Sequence, residues 1–204
     1  MDYKDIVKTG YNQIADRYLS ERTTDSADVR LLADFTELLS PDAKVLDAGC
    51  GAGIPITRML AKRFDVIGVD FSAAQIELAK QHVPNAKFFC EDLTDLHFPE
   101  DFFDGICSYY AIIHIPREEH RALLEKFYRI LNTGGVALLC LGAKHLIDDV
   151  DENFLGTRMY WSHYDSATYL KMLKDVGFSI IWSKLINDQT CEGAGHLFVL
   201  AQKK

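Results

Sequence analysis

This sequence of 204 residues lacks the cysteine pattern of a cross-linked or zinc-bound framework. It has five cysteines, an odd number, and no two of them form a CxxC pair. A chain of this length can bury a full hydrophobic core, so it requires neither disulfides nor a structural metal. We therefore expect reduced thiols in a cytoplasmic protein. The residues concerned are Cys50, Cys90, Cys107, Cys140 and Cys191.

A basic excess and long apolar runs are also missing. Lysine and arginine number 22 against 30 acidic residues, which gives a net charge of -8 and a pI of about 5.3. Proteins that bind nucleic acid usually carry a basic face. The N-terminus has no apolar signal core, and no apolar run reaches membrane-spanning length. We expect neither a nucleic-acid partner nor a membrane partner, and a monomer or a homodimer.

The sequence contains no internal repeat and no linker rich in proline, glycine or serine, which predicts a single domain over residues 1–204. Residues 1–40 have apolar positions at helical spacing, which predicts helices there. Short apolar runs alternate with amphipathic segments over residues 44–142. Residues 143–165 form an insertion, and residues 166–204 are expected to form a closing helix and hairpin.

The alternation over residues 44–142 predicts an α/β fold. Near-continuous apolar strands separated by helices are typical of a parallel sheet covered on both faces. The segments 178–185 and 196–201 follow the last helix without another between them, which predicts an antiparallel pair at the sheet edge. We expect a Rossmann-like, doubly wound, mostly parallel seven-stranded sheet with an antiparallel last strand. The other predicted strands are 45–48, 66–69, 86–90, 103–109 and 135–141, and the predicted helices are 54–63, 73–82, 116–131 and 166–176.

A glycine-rich loop connects the first predicted strand to a helix. It begins at Asp47 and carries Gly49, Gly51 and Gly53, so its backbone amides can approach a ligand closely. Asp70 ends the second strand about 20 positions after Gly51, the spacing at which the dinucleotide-binding fold places its ribose-binding acid. Acids at strand ends can also cap helices or solubilise loops.

A third acid, Asp92, follows the third predicted strand. It could accept a hydrogen bond from the exocyclic amine of an adenine. In an open α/β sheet the carboxyl ends of the strands form the ligand site. The glycine loop and the acids at the next two strand ends therefore indicate a site for a nucleoside-containing ligand. They fit this better than the alternative that each acid only caps a helix.

The glycine loop and the two acids resemble the class I S-adenosylmethionine-dependent methyltransferase family over residues 44–142. The resemblance implies that Asp47 holds the amino group of the cofactor and that the loop runs beside its methionine moiety. It also implies that Asp70 binds the ribose and Asp92 the adenine amine. Further cofactor contacts are implied for Phe71 and Leu93 on the adenine ring and for Ser108. The N-terminal helices are implied to form a lid over the pocket.

The main alternative is an NAD-dependent oxidoreductase on a similar fold. Its loop reads GxGxxG, whereas this loop reads GxGxG and places Asp47 two residues before its first glycine. A pyrophosphate gains nothing from an added carboxylate, but a cationic ammonium or sulfonium does. This charge argument favours S-adenosylmethionine. A cofactor-binding module without turnover is a further alternative.

The sequence leaves the acceptor and the methylated atom (O, N, S or C) open. The cofactor supplies the reactive methyl group, so no catalytic dyad is obligatory. No nucleic-acid-modifying motif of the family follows the fourth strand, and we expect a small-molecule acceptor. The histidines show no ligand spacing, and we expect no metal. Candidate catalytic residues are His114 and His163, although either could be structural. Candidate acceptor-facing residues are Tyr11, Tyr18, Tyr109, Tyr110, Tyr160 and Trp161, which could instead be packing residues.

Overall fold

A seven-stranded sheet organises the protein in the computed structural model, which describes residues 2–187 and 195–204. Its strands are β1 (Lys44–Ala48), β2 (Asp65–Asp70), β3 (Lys87–Cys90), β4 (Phe103–Ser108), β5 (Leu131–Gly142), β8 (Phe178–Asn187) and β9 (Gly195–Lys203), while β6 and β7 lie outside this sheet. The strand order is β3-β2-β1-β4-β5-β9-β8. Strands β1 to β5 run parallel, and β9 is antiparallel to both of its neighbours. The predicted mostly parallel sheet with an antiparallel last strand is confirmed.

Side-chain caps fix the start of three helices, α1, α5 and α7. Ser72 caps the helix that follows β2, and its hydroxyl accepts a hydrogen bond from the Gln75 amide at 3.3 Å. Gly177 ends the last helix in a left-handed conformation at φ 119°. The helices are α1 (Tyr3–Glu21), α2 (Ala27–Arg30), α3 (Leu32–Thr36), α4 (Ile56–Leu60), α5 (Ala73–His82), α6 (His120–Ile130) and α7 (Ser166–Val176).

Two predicted helices are shorter than the sequence pattern suggested. The segment 54–63 is helical only over Ile56–Leu60, and 116–131 begins as a 3-10 turn over Arg117–Glu119 before α6. Helical periodicity does not show where the end of a helix becomes a 3-10 turn, so it predicts helix boundaries less accurately than helix positions. The type and order of these elements agree with the prediction.

Apolar side chains cover both faces of the sheet. One face packs against α6 and α7 through residues such as Phe127 and Leu173, and the other packs against α3 and α4 through Phe35 and Leu60. All four side chains are fully buried. Burying one such side chain contributes about 1.5–3 kcal/mol. This two-sided core holds the strand ends, and therefore the loops that follow them, in fixed positions.

The insertion after β5 folds into a hairpin of its own. Its strands β6 (Leu146–Phe154) and β7 (Thr157–His163) pair antiparallel. Leu155 and Gly156 turn the chain, both at positive φ, as a tight two-residue hairpin turn requires. The hairpin packs on α1, where the rings of Tyr3 and Tyr160 stack 4.3 Å apart. The insertion and the N-terminal helix therefore form one continuous cover.

The structure also describes most of the cysteines and helices α1 to α7. Cys50, Cys90 and Cys107 are free thiols, and Cys191 lies outside the described residues. Within residues 2–187 and 195–204, no helix has both the length and the apolar character needed to cross a bilayer.

Candidate functional site

Two cavities open beside the glycine loop at the carboxyl ends of β1, β2 and β4. The first comprises about 640 Å³ of empty space, its open mouth included, and α1 contributes Val7, Tyr11 and Tyr18 to its wall. The second comprises about 430 Å³ of empty space, its open mouth included, and is lined by Asp47 and Arg22 among others. Gly49 and Gly51 line both cavities. A ligand with two chemically different ends could therefore occupy both and pass the loop between them.

The glycines of the loop have different roles. Gly49 sits at φ +83°, and a Cβ there would lie 2.1 Å from the Cβ of Ala111, so the backbone approach itself requires glycine. Gly51 sits at φ +51°, and an added Cβ would meet only the Gln75 Oε1 at 3.7 Å. A side chain at position 51 would take up space in the cavities. The loop surface beside Gly51 is thus open to a ligand.

Gly53 lies in the glycine loop but lines neither cavity. A Cβ at this position would lie 3.1 Å from the Cγ2 of Val83 and 3.5 Å from Ala79. The residue lets the loop pack against α5. Its predicted contact with the cofactor stays a prediction.

Asp70 fastens the glycine loop and also faces the first cavity. Its Oδ2 accepts a hydrogen bond from the Gly51 amide at 3.0 Å, and its Oδ1 accepts one from the Ser72 amide at 2.9 Å. Burial raises the pKa of this carboxyl to about 6. Each carboxylate oxygen can accept a second hydrogen bond, so ligand hydroxyls could be held here as well.

Asp92 caps a 3-10 turn and also lines the first cavity. Its Oδ1 accepts hydrogen bonds from the Thr94 amide at 2.8 Å and the Thr94 hydroxyl at 2.9 Å, which caps a 3-10 turn. Its Oδ2 lies 3.2 Å from the ammonium of Lys4 on α1. Burial opposes ionisation, but the Thr94 hydrogen bonds and the Lys4 charge outweigh it and lower the pKa of Asp92. The residue lines the first cavity together with Phe71 and Leu93.

Asp47 lines the second cavity together with Arg22, a residue of opposite charge. Asp47 is 2% exposed, and its Oδ2 accepts a hydrogen bond of 2.6 Å from the Thr57 hydroxyl. Burial raises the pKa of Asp47 to about 6. Arg22 lines the same cavity, 5.0 Å over the Tyr110 ring and 3.9 Å from the Asp28 carboxylate. Sequence reasoning missed Arg22, since it lies just beyond α1 in a polar stretch with no motif around it.

Tyr11 and His114 meet across the first cavity. The Tyr11 hydroxyl lies 2.9 Å from the Nε2 of His114, and the His114 Nδ1 lies 2.8 Å from the Tyr160 carbonyl oxygen. Because a carbonyl only accepts, Nδ1 carries the proton and Nε2 accepts from Tyr11. Burial lowers the pKa of His114 to about 4 and raises the pKa of Tyr11. His114 is therefore neutral near pH 7.

Tyr109 and Tyr110 also line the first cavity and bind a single residue of α2. The Tyr109 hydroxyl donates to the Asp28 carbonyl at 3.2 Å, and the Tyr110 hydroxyl donates to the Asp28 carboxylate at 3.1 Å. Burial raises the pKa of both tyrosines, so both stay protonated. Tyr18 lines both cavities, and the centroids of the Tyr18 and Tyr11 rings lie 5.1 Å apart in an edge-to-face contact. The result is an aromatic wall that connects α1 with β4.

Four other predicted site residues line neither of these two cavities, and their predicted roles stay predictions. Ser108 is buried in the sheet and donates to the Ala48 carbonyl at 2.8 Å. Tyr160 donates to Asp148 at 2.6 Å, and the Trp161 ring packs beside the rings of Phe154 and His114.

His163 packs on Gly142, and its Nδ1 lies 2.6 Å from the Lys144 carbonyl. Tyr160, Trp161 and His163 all lie on β7. This strand contacts the site through the Tyr160 carbonyl, which accepts from His114, and none of the three side chains lines either cavity. The part of the chain that the structure describes contains no group of three or more His, Cys, Asp or Glu that could hold a metal ion.

Comparison with known proteins agrees with this geometry. Residues 45–135 match the family model of a methyltransferase domain. The chain is 32% identical to phosphoethanolamine N-methyltransferase 3 of Arabidopsis thaliana over 185 residues, which cover 85% of this chain and 37% of that protein. It is 33% identical to 2-methyl-6-phytyl-1,4-hydroquinone methyltransferase of Synechocystis over 108 residues, covering 50% of this chain and 33% of the relative. The chain thus spans about a third of the length of these curated relatives.

A solved structure covers the whole chain. This is 1,6-didemethyltoxoflavin-N1-methyltransferase of Burkholderia thailandensis with bound S-adenosylhomocysteine, at a TM-score of 0.75 and 19% identity, covering 100% of this chain and 89% of that one. At this identity the likeness establishes the fold. The matched methyltransferase domain and the methyltransferase relatives, together with the glycine loop and the acids at the strand ends, show that the chain belongs to the class I S-adenosylmethionine-dependent methyltransferase family, whose cofactor is S-adenosylmethionine.

Proposed function

We propose that this protein transfers a methyl group from S-adenosylmethionine to a small-molecule acceptor. The observation that carries the proposal is the pair of cavities sharing the glycine loop, one lined by Asp70 and Asp92 and the other by Asp47 and Arg22. When bound, the cofactor supplies an electrophilic methyl group on a sulfonium, so a nucleophilic acceptor requires no covalent enzyme intermediate. The protein's task is to bind, orient and exclude water.

The adenosine half of the cofactor fits the first cavity. Asp70 offers acceptors to the ribose hydroxyls, and Asp92 offers one to the adenine amine, between the apolar side chains of Phe71 and Leu93. The space beside Gly51 admits the connection to the second cavity. Each of these side chains stands at the end of a strand, so the sheet holds them in place.

The amino-acid half fits the second cavity because its charges are complementary there. Its ammonium would pair with Asp47, and its carboxylate would pair with Arg22. The Asp28 carboxylate lies 3.9 Å from the guanidinium, a loose contact that leaves donors available to a ligand. A zwitterion therefore meets one charge of each sign.

The aromatic wall of the first cavity is the proposed acceptor site. Tyr11, Tyr18, Tyr109, Tyr110 and His114 offer hydroxyl groups and a neutral imidazole in an otherwise apolar space. A base with a pKa of about 4 is a weak proton acceptor near pH 7. The Tyr11–His114 pair is thus better suited to orienting the acceptor by hydrogen bonds than to storing a proton.

The cover formed by α1 and the β6–β7 hairpin supports the proposed lid. Lys4 of α1 lies 3.2 Å from Asp92 and donates to Glu119 at 2.7 Å, so two ion pairs attach the helix to the cavity rim. Residues 1–204 would then act as one methyltransferase domain. The free thiols of Cys50, Cys90 and Cys107 support a cytoplasmic location.

Calorimetric titration with S-adenosylmethionine, S-adenosylhomocysteine and NADH tests the cofactor assignment. We expect the first two to bind and NADH not to bind; binding of NADH alone would restore the oxidoreductase alternative. Methyl-labelled cofactor should then be incubated with a panel that includes phosphoethanolamine, hydroquinones and a metabolite extract. Cofactor binding without any labelled product would favour a module that lacks turnover.

Cofactor affinity is expected to fall as the pH is lowered through about 6. Asp47 and Asp70 both have a pKa near 6 in the ligand-free protein, above the ordinary 3.8. Ammonium and hydroxyl groups favour their ionised forms, so binding releases protons in this range. Below pH 6 the affinity should fall by about tenfold per unit for each carboxyl. Titrations with S-adenosylhomocysteine from pH 5 to 8 measure the slope, and Asp47→Asn should reduce it by one proton. A flat profile would contradict ionised carboxylates at the site.

Replacement of Arg22 by methionine is expected to weaken S-adenosylhomocysteine binding by about tenfold, the range for losing a hydrogen bond to a charged group. Methionine keeps much of the apolar stem over Tyr110 but lacks the charge. The matched ligand is 5′-methylthioadenosine, which has no amino-acid end and should bind both proteins equally. An equal loss for both ligands would mean that Arg22 only supports the fold.

A further inference from the structure

Gln75 carries a buried amide that the fold leaves unpaired. The residue is 1% exposed, and among the described residues neither its Oε1 nor its Nε2 has a hydrogen-bond partner. Buried polar groups in native proteins are nearly always paired, so an unpaired amide requires an explanation. Neither the proposed cofactor contacts nor the aromatic wall includes this side chain.

The side chain is directed at the ligand by its position in α5. It lies in the first turn, where its backbone amide donates to Ser72, and Ser72 in turn donates its own amide to Asp70. Gln75 lines the first cavity, and its Oε1 lies 3.7 Å from the point where a Gly51 Cβ would stand. Asp70, Gly51 and Gln75 therefore surround one corner of that cavity.

The chemistry of this corner matches two adjacent hydroxyl groups. Asp70 offers only acceptors when ionised, whereas an amide offers both a donor and an acceptor. A hydroxyl group also both donates and accepts. The neutral amide of Gln75 is therefore a better partner for a ligand hydroxyl than for a charged ligand group. The amino-acid end of the cofactor is not a competing partner, because Gln75 does not line the second cavity.

We propose that Gln75 binds one ribose hydroxyl of the cofactor while Asp70 binds the other, so that the site recognises an intact vicinal diol. The inference rests on the proposed function and adds a specificity-determining residue to it. The ligand-free protein then carries an unpaired amide that becomes paired only when the nucleoside is bound. The ligand-free protein is therefore less stable than a variant with an apolar side chain at position 75 would be.

Gln75→Met tests the proposal, because methionine has a similar length and no amide. Gln81→Met is the matched control, since Gln81 is exposed on the same helix. The probes are S-adenosylhomocysteine and its 2′-deoxy and 3′-deoxy analogues, titrated by calorimetry into each protein. In the wild type both deoxy analogues should bind more weakly than the parent ligand.

In the Gln75→Met protein we expect affinity for S-adenosylhomocysteine to fall by about tenfold. The penalty for one of the two deoxy analogues should disappear, and the penalty for the other, read by Asp70, should remain. The melting temperature of the ligand-free variant should rise while the shift caused by S-adenosylhomocysteine shrinks. Gln81→Met should change none of these quantities.

The outcomes separate this inference from the function on which it rests. A wild type that does not bind S-adenosylhomocysteine would overturn the proposed function, and this inference with it. A wild type that binds normally while Gln75→Met keeps both deoxy penalties would overturn the inference alone. A lower melting temperature of the ligand-free variant would likewise assign Gln75 a purely structural role.

Discussion

Valine at position 51 is expected to abolish measurable binding of S-adenosylmethionine and S-adenosylhomocysteine while leaving a folded protein. The Cβ of a residue at this position has no protein atom nearer than the Gln75 Oε1 at 3.7 Å, so the added side chain takes the space proposed for the cofactor. We expect at least a 100-fold loss of affinity, about 3 kcal/mol. Calorimetric titration measures the affinity, and circular dichroism with thermal unfolding checks the fold.

Backbone strain must be separated from loss of space in this experiment. Position 51 has φ +51°, where a residue with a Cβ costs about 1–2 kcal/mol. Gly134 has φ +84° and no neighbouring atom within 4 Å of an added Cβ, so Gly134→Val reproduces the strain far from the cavities. It should lose stability and bind normally. If Gly51→Val binds as well as this control, the loop does not run beside the ligand.

The features that sequence reasoning found are those that depend on strand ends. Strands β1, β2 and β3 each carry a motif residue at or just after their last position, and parallel strands bring these positions to one edge. Asp47, Asp70 and Asp92 could therefore be grouped from the order of elements alone. The sheet and its antiparallel closure followed from the same apolar runs.

The residues that sequence reasoning missed, or that line neither cavity, depend on how distant segments pack. Lys4 and Arg22 line the cavities because α1 lies across the strand ends, and Gln75 lines the first cavity from the first turn of α5. The β6–β7 hairpin was not predicted, so the alternation of Tyr160 and Trp161 between its two faces could not be assigned. His114 and His163 both follow apolar or aromatic runs, and only the fold shows that the first lines a cavity.

Asp70→Ala is the second substitution for which we expect a large effect, because the carboxylate holds both the loop and the proposed ribose. Its removal leaves the Gly51 and Ser72 amides without their acceptor and the ribose hydroxyls without theirs. An unsatisfied buried donor costs about 1–3 kcal/mol. We expect a loss of S-adenosylhomocysteine affinity of about 100-fold and a lower melting temperature, measured by calorimetry and thermal unfolding.

Two comparisons show whether the carboxylate acts at the ligand or only on the loop. Asp65→Ala removes an exposed carboxyl at the start of the same strand, 3.4 Å from Lys87, and should affect neither quantity strongly. Asp70→Asn keeps the shape, but its NH₂ group must face one of the two backbone donors, so it should also bind weakly. Normal affinity in Asp70→Ala would place the ribose elsewhere. Weak binding with an unchanged deoxy-analogue penalty would restrict Asp70 to the loop and leave the diol to Gln75.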